Sequence, residues 1–253
     1  LRGNTTSTAD LLVSGSLGGG FLNVTGGTLT LTGTSTNTPV TIFANAALLD
    51  SNGGLDSSAA VINAGLLTVN APDTVSTYTQ NGAGTLAGTA PLTATNGATL
   101  NGGTVSGNLQ ANIVSTGNVL VSGTIGGGSL SVTGGTLNLT GTSTNGVVNI
   151  SGSQIKPVSG SLHALGAPVS PIGSGATLID ANGGHSTAAK VTHAGTLVVN
   201  ADDTVSTYTQ NGRGTLSGSA SLTATNGALL NGGTVAGSLR GNTTSTGDVL
   251  ISG

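Results

Sequence analysis

The 253-residue chain has no cysteine, methionine, tryptophan or glutamate, and only four aromatic side chains: Phe21, Phe43, Tyr78 and Tyr208. Aromatics and methionine supply much of the buried area in ordinary cores, so a conventional globular interior is not expected. Glutamate is missing, and lysine, arginine and glutamine are scarce, which leaves little to build long amphipathic helices. The absence of cysteine fits an exported chain that stays unfolded until late, without by itself fixing a redox compartment.

Charge is equally sparse. Five Lys and Arg against eight Asp amount to 5% of residues and a net charge of −3, where soluble proteins average about 25%. A nucleic-acid partner is excluded, because phosphate binding needs clustered Lys and Arg. No apolar run is long enough to span a bilayer. No basic segment leads into an apolar one at the start, so any export signal is expected outside this stretch.

What fills the chain is glycine (45 residues) with threonine, serine, asparagine and small aliphatics, a supply that favours strands and turns. Short runs alternate apolar and polar residues at period two: Leu-Asn-Val-Thr at 22–25, Thr-Leu-Thr-Leu-Thr at 28–32 and Leu-Thr-Val-Asn at 67–70. Such runs read as strands. They end at Gly-Gly, Asn-Gly or Ser-Gly, the usual turn formers.

The chain also repeats itself. Residues 10–36 return at 118–144, a shift of 108, and residues 73–123 return at 203–253, a shift of 130, with 38 of 51 positions identical. Residues 1–15 return at 239–253, a shift equal to the other two together. The long repeats therefore run over about 10–117 and 118–247, with a third copy opening at 248. The 22-residue difference between the shifts lies in an insertion at about 146–167, since 40–73 aligns without gaps to 170–203. That insertion reads either as one additional coil or, given Pro157, Pro168 and Pro171, as a loop.

Together these features predict an all-β fold, a parallel β-solenoid continuous over 1–253 with roughly 19–22 residues per coil. Thr85-Leu86, Thr104-Val105 and Thr124-Ile125, spaced 19 and 20 apart, support that period. In such a fold each coil pairs its backbone with the coils above and below, and a thin interior of Leu, Val, Ile and Ala suffices. A tandem of immunoglobulin-like sandwiches fits poorly, because it needs core aromatics and equal units. A disordered linker does not explain the regular Leu and Val spacing.

Candidate chemistry is thin. A glycosidase-type carboxylate pair must come from Asp10, Asp50, Asp56, Asp73, Asp180, Asp202, Asp203 and Asp248. The one adjacent pair, Asp202-Asp203, points to opposite faces of a strand and has Pro72-Asp73 as its counterpart. These residues read as turn formers. His163, His185 and His193 invite a metal, but without Cys or Glu the ligand supply is poor and solvated imidazoles are expected. The segment from Asp50 to Asp56 faintly resembles an oxygen-rich calcium loop, yet its second copy lacks the closing carboxylate, and a tight turn explains both. Gly82-Ala-Gly84-Thr-Leu-Ala87 matches a dinucleotide fingerprint only nominally, with no helix to follow. Asn4, Asn23, Asn138, Asn149 and Asn242 head Asn-x-Thr/Ser triplets of the kind chance supplies in such text. No catalytic, cofactor or metal site is assigned, and no enzyme activity is expected.

The segments TLTLTGTST and YTQNGAGTLAGTAPLTATNGATLNGGTVSG, with their periodicity, resemble the repetitive passenger regions of bacterial autotransporter and filamentous-haemagglutinin-like surface proteins. The likeness covers nearly the whole chain except about 146–170. It implies a right-handed β-helix at the cell surface or secreted outside it, acting as stalk, adhesin or matrix fibre. Neither a translocator barrel nor a secretion domain lies in this stretch. Implied partners are flanking repeats of the same long chain, laterally associated fibres, and a host, neighbouring-cell or matrix surface. Ice binding through Thr-x-Thr ladders and a glycan-binding or glycan-processing β-helix are the alternatives.

Overall fold

A computed structural model describes every residue except 146, 151–153, 158–160, 163–167, 181–186 and 253, and describes the backbone alone at 150, 154–157, 161–162 and 168–171. Among the described residues there are strands and turns and no helix. All the described ladders are parallel, and the chain is a β-solenoid of about 12 turns with paired strands about 18 residues apart. It divides into two compact units, Leu1–Gly127 and Gly128–Gly253.

In the first unit every turn contributes to three ladders. The first stacks Thr5–Ser7, Leu22–Val24, Val40–Ile42, Ala60–Asn63 and Thr77–Gln80. The second stacks Leu11–Val13, Thr28–Leu31, Ala47–Asp50, Leu66–Val69, Thr85–Ala87, Gly103–Val105 and Val119–Val121. The third is shorter: Ser16–Gly18 pairs with Thr34–Thr36, Ser35 bridges to Leu55, and Asp73–Val75 pairs with the start of Pro91–Leu100. Two long strands, Pro91–Leu100 and Asn108–Ser115, serve the third ladder with their first half and the first ladder with their second.

The period-two pattern decides which side chains enter the coil. Leu22, Val24, Leu29, Leu31, Val40, Ile42, Leu48 and Leu67 are fully buried, while Thr30, Thr41 and Thr68 between them stay half-exposed. Each buried Leu or Ile contributes about 1.5–3 kcal/mol. Parallel stacking multiplies this, because every inward residue lies over an inward residue of the neighbouring turn. Corners demand glycine where the chain crosses closely. Gly88 has φ +114°, and a Cβ there would run into the carbonyl oxygen of Val69; Gly218 repeats the arrangement against Val199.

Turn length is less regular than a single period of 19–22. Leu48 pairs with Leu67 and Leu86 with Val105 at a spacing of 19, but Thr5 pairs with Leu22 at 17 and Ala98 with Ile113 at 15. The sequence spacing of Thr104-Val105 and Thr124-Ile125 does not mark successive turns of one ladder. Val105 pairs with Val121, and Ile125 with Leu109 on another face. Parallel pairing fixes register strand by strand, so corners absorb insertions and deletions that no single period describes.

The second unit repeats the plan. Its first ladder runs Ser129–Val132, Val147–Ile150, Pro168–Ile172, Lys190–His193, Thr207–Asn211, Ala228–Asn231 and Thr243–Ser245. Its second runs Thr136–Leu139, Gln154–Pro157, Thr177–Asp180, Thr196–Val199, Thr215–Ser217, Gly233–Val235 and Val249–Ile251. On the third face Thr142–Ser143 pairs with Ser161–Leu162, and Asp203–Val205, Ser221–Ala224 and Ser238–Arg240 pair in turn. Val147–Ile150, Gln154–Pro157 and Ser161–Leu162 are the strands within the 146–167 insertion, one on each face. Their first-unit neighbours, Leu22–Val24 with Val40–Ile42 and Thr28–Leu31 with Ala47–Asp50, pair directly, with nothing between. Pro157 ends one strand and Pro168 begins another, positions where a missing N–H is tolerated.

Candidate functional site

The inward positions are not uniformly apolar. In the first unit Asn63, Tyr78 and Gln80 are all fully buried on the first ladder. Asn63 Nδ2 donates to the Tyr78 hydroxyl (3.0 Å) and to the carbonyl of Thr85 (2.9 Å). The Tyr78 hydroxyl donates to Gln80 Oε1 (2.8 Å), and Gln80 Nε2 donates to the carbonyls of Gly102 (2.9 Å) and Thr104 (3.3 Å). One chain of hydrogen bonds thus crosses successive turns with each donor used once. Burial drives the Tyr78 hydroxyl well above its usual range, so it stays protonated.

The second unit keeps Tyr208 and Gln210 but puts His193 where Asn63 would be. His193 is fully buried, so the expectation of a solvated imidazole fails at this position. Its Nδ1 lies 3.1 Å from the carbonyl of Gly195 and its Nε2 against the Tyr208 hydroxyl, with the two rings 5.3 Å apart. Tyr208 also reaches Gln210 Oε1 at 2.7 Å, and Gln210 Nε2 donates to the carbonyls of Gly214, Gly232 and Thr234. Burial lowers the His193 pKa, opposed by its contacts to Gly195 and Gln210. A neutral imidazole and one hydroxyl bring two hydrogens to three contacts. The asparagine version has no such shortfall. His163 and His185 lie outside the described residues.

A second polar cluster sits where the second ladder turns into the third. Asp50 is fully buried and Asp73 only 7% exposed. Asp50 Oδ1 accepts from the backbone N–H groups of Gly54 (3.1 Å) and Asn52 (3.4 Å). Asp73 Oδ2 accepts from Leu55 N–H (3.0 Å), and its Oδ1 from Thr74 N–H (2.7 Å). Asp50 Oδ2 has no N–H partner, and the two carboxyl groups lie within hydrogen-bonding reach of each other. Burial, then the contact with Asp50 and its charge, raise the Asp73 pKa to about 7.

The second copy occupies the same corner. Asp180 and Asp203 are buried at 5% and 6% exposure, and their registers match, Asp180 opposite Val199 as Asp50 is opposite Val69, and Asp203 opposite Leu222 as Asp73 is opposite Leu92. The carboxylate pair that the fold assembles therefore joins residues 23 apart in sequence, not the adjacent Asp202-Asp203. Asp202 is exposed and accepts from Ser221 N–H at 2.8 Å. The clue in the sequence was that Asp50 and Asp73 both return 130 residues later, while Asp56 and Asp202 do not.

The other candidates are dispersed. Asp10 is exposed and accepts from Thr28 N–H (2.8 Å). Asp56 closes a local turn with Ser58 N–H and Oγ, which lower its pKa. Asp248 is exposed. Gly82 to Ala87 form a turn followed by the strand Thr85–Ala87, so no helix N-terminus is present to hold a phosphate. Among the described residues no three His or Asp side chains gather as a metal site would require, and no helix is long and apolar enough to cross a membrane. The two outward columns of the second ladder read Leu12, Thr30, Leu49, Thr68 and Ala87, and Thr28, Ala47, Leu66, Thr85, Thr104 and Leu120, and neither is a continuous threonine ladder.

The fold and the internal repeats define a parallel β-solenoid repeat protein. Comparison with protein-family models, with curated proteins and with solved structures found no match.

Proposed function

We propose that this chain is a non-catalytic structural and adhesive segment of a long extracellular bacterial surface fibre built from tandem long repeats. The observation that carries the reading is where the two copies differ. Of the 13 differences between 73–123 and 203–253, ten fall at positions that are half-exposed or exposed in the first copy. The three buried exchanges, Ala111 for Gly241, Ile113 for Thr243 and Val121 for Ile251, bring in no charge. Charges change freely on the outside: Ala83 becomes Arg213, Gln110 becomes Arg240 and Asn118 becomes Asp248. The interior is repeated more strictly than the surface, with 17 of 20 buried positions identical against 21 of 31 others, which suits a spacer better than a specific site. Low surface charge weakens repulsion between neighbouring fibres, and rows of hydroxyl, amide and methyl groups offer dispersed contacts for adhesion.

The test is to join the long repeat in two, four and six copies and image the products. Length is expected to grow linearly, by about 4.8 Å per turn; beads of fixed size would overturn the structural reading. In parallel, coated surfaces and glycan arrays are probed. Turnover of any polysaccharide by the purified chain would overturn the non-catalytic reading.

A further inference from the structure

We propose that Asp50 and Asp73 share one proton and act as a pH-dependent latch between two successive turns, closed while the proton is held and opened when it leaves. The proposal is independent of the functional reading above.

Hydrogen-bond geometry carries it. Four backbone N–H groups, those of Asn52, Gly54, Leu55 and Thr74, are aimed at three of the four carboxyl oxygens. The fourth, Asp50 Oδ2, is buried with no partner, and the Asp50 and Asp73 carboxyls are in contact. Two carboxylates in that position repel each other in a dry interior. A single hydrogen carried by either one turns the contact into a short O–H···O⁻ bond. Leu55 and Asp50 belong to one turn and Asp73 to the next, so this bond, with Leu55 N–H to Asp73, ties the two turns together.

No basic side chain relieves the pair. Residues 3–127 contain no Lys, Arg or His. The strands paired with the two aspartates, Thr28–Leu31, Leu66–Val69 and Pro91–Leu100, carry no titratable group. Asp56 on the adjoining turn is bound to Ser58, and Asp10 to Thr28 N–H. A divalent cation would want six or more oxygen ligands, whereas this pocket is lined by N–H donors. The missing group is a proton, taken from water and returned to it. The raised pKa of Asp73 fits that assignment, and Asp180 and Asp203 are buried at the matching positions of the second copy.

Asp50→Asn tests the shared proton directly. The amide oxygen keeps the bonds from Asn52 and Gly54, while its NH2 donates permanently to an ionised Asp73. Carbon-13 NMR of the full chain, with eight Asp carboxyls to follow, is expected to show Asp carboxyl titration near neutrality. In Asp50→Asn that transition at Asp73 moves down into the ordinary carboxylate range. At pH 8.5 the double variant Asp50→Asn/Asp180→Asn is expected to melt higher than wild type, by on the order of 5 °C; at pH 4.5 the advantage disappears. All eight carboxyls titrating below pH 5 would overturn the proposal, as would a wild-type melting temperature at pH 8.5 that millimolar calcium restores to the level of the double variant. The calcium result would mark the pair as a cation site.

Discussion

Replacing His193 by asparagine transplants the first unit's solution into the second, and its effect can be worked out. The imidazole is fully buried and lies against Tyr208 and Gly195, and burial lowers its pKa below the usual value. A histidine with a lowered folded pKa contributes stability that is present above the unfolded value, about 6.5, and is lost as pH falls below it. The loss amounts to about 1.4 kcal/mol per pH unit until the folded pKa is reached. Between pH 6.5 and 5.5 wild type should therefore lose up to about 1.4 kcal/mol that His193→Asn retains. At pH 8 the variant regains the pattern in which Asn63 donates to Tyr78 and Thr85, and should lie within about 1 kcal/mol of wild type despite the lost ring volume. Urea unfolding of both proteins at half-unit steps from pH 5 to 8 measures this directly. His163, His185 and every aspartate are common to both, so the difference isolates one residue. Equal acid losses in the two proteins would refute the reasoning, because the imidazole would then not be held neutral by its surroundings.

Three further outcomes are expected. Tyr78→Phe removes the hydroxyl linking Asn63 to Gln80, leaves both amides short of a partner, and should cost about 1–3 kcal/mol in urea unfolding; a neutral effect would mean the network is not structural. Leu48→Ala, at a fully buried position, should cost about 2–5 kcal/mol, while Thr30→Ala on the neighbouring strand, facing outward, should stay within about 0.5 kcal/mol; equal effects would contradict the assigned strand faces. Gly88→Ala brings a Cβ against the carbonyl of Val69 at φ +114° and should destabilise by more than about 1 kcal/mol, read as a lower urea midpoint, with Gly218→Ala matching it.

The two titrating devices oppose each other. Asp73 has a folded pKa raised from 3.8 to about 7, so the folded state holds a proton that the unfolded chain has released. Its contribution is full below about 3.8 and falls as pH rises towards 7. His193 contributes in the other direction, failing as pH drops. The first unit, with Asn63 and the Asp50–Asp73 pair, is therefore expected to tolerate acid better than the second. The second carries His193 in addition to the same corner aspartates.

The fold class was legible in the residues themselves. Scarce charge, glycine-bounded runs and period-two alternation at 22–25, 28–32 and 67–70 leave parallel stacked strands as the economical way to bury Leu and Val. The repeats at 108 and 130 show where the architecture recurs, because identical text folds alike. Turn length was not legible: Thr124-Ile125 continued a spacing by eye, yet belongs to a different face from Val105. Corners vary in length without cost to the ladders, and only strand pairing records which face follows. The interior chemistry was hidden for a related reason. Sequence distance says nothing of which inward side chains meet across turns, so Asp50 with Asp73, and His193 with Tyr208, came together only when successive windings were stacked. Composition and repetition determine that this chain coils; the register of one coil on the next decides which buried polar groups must share their hydrogens.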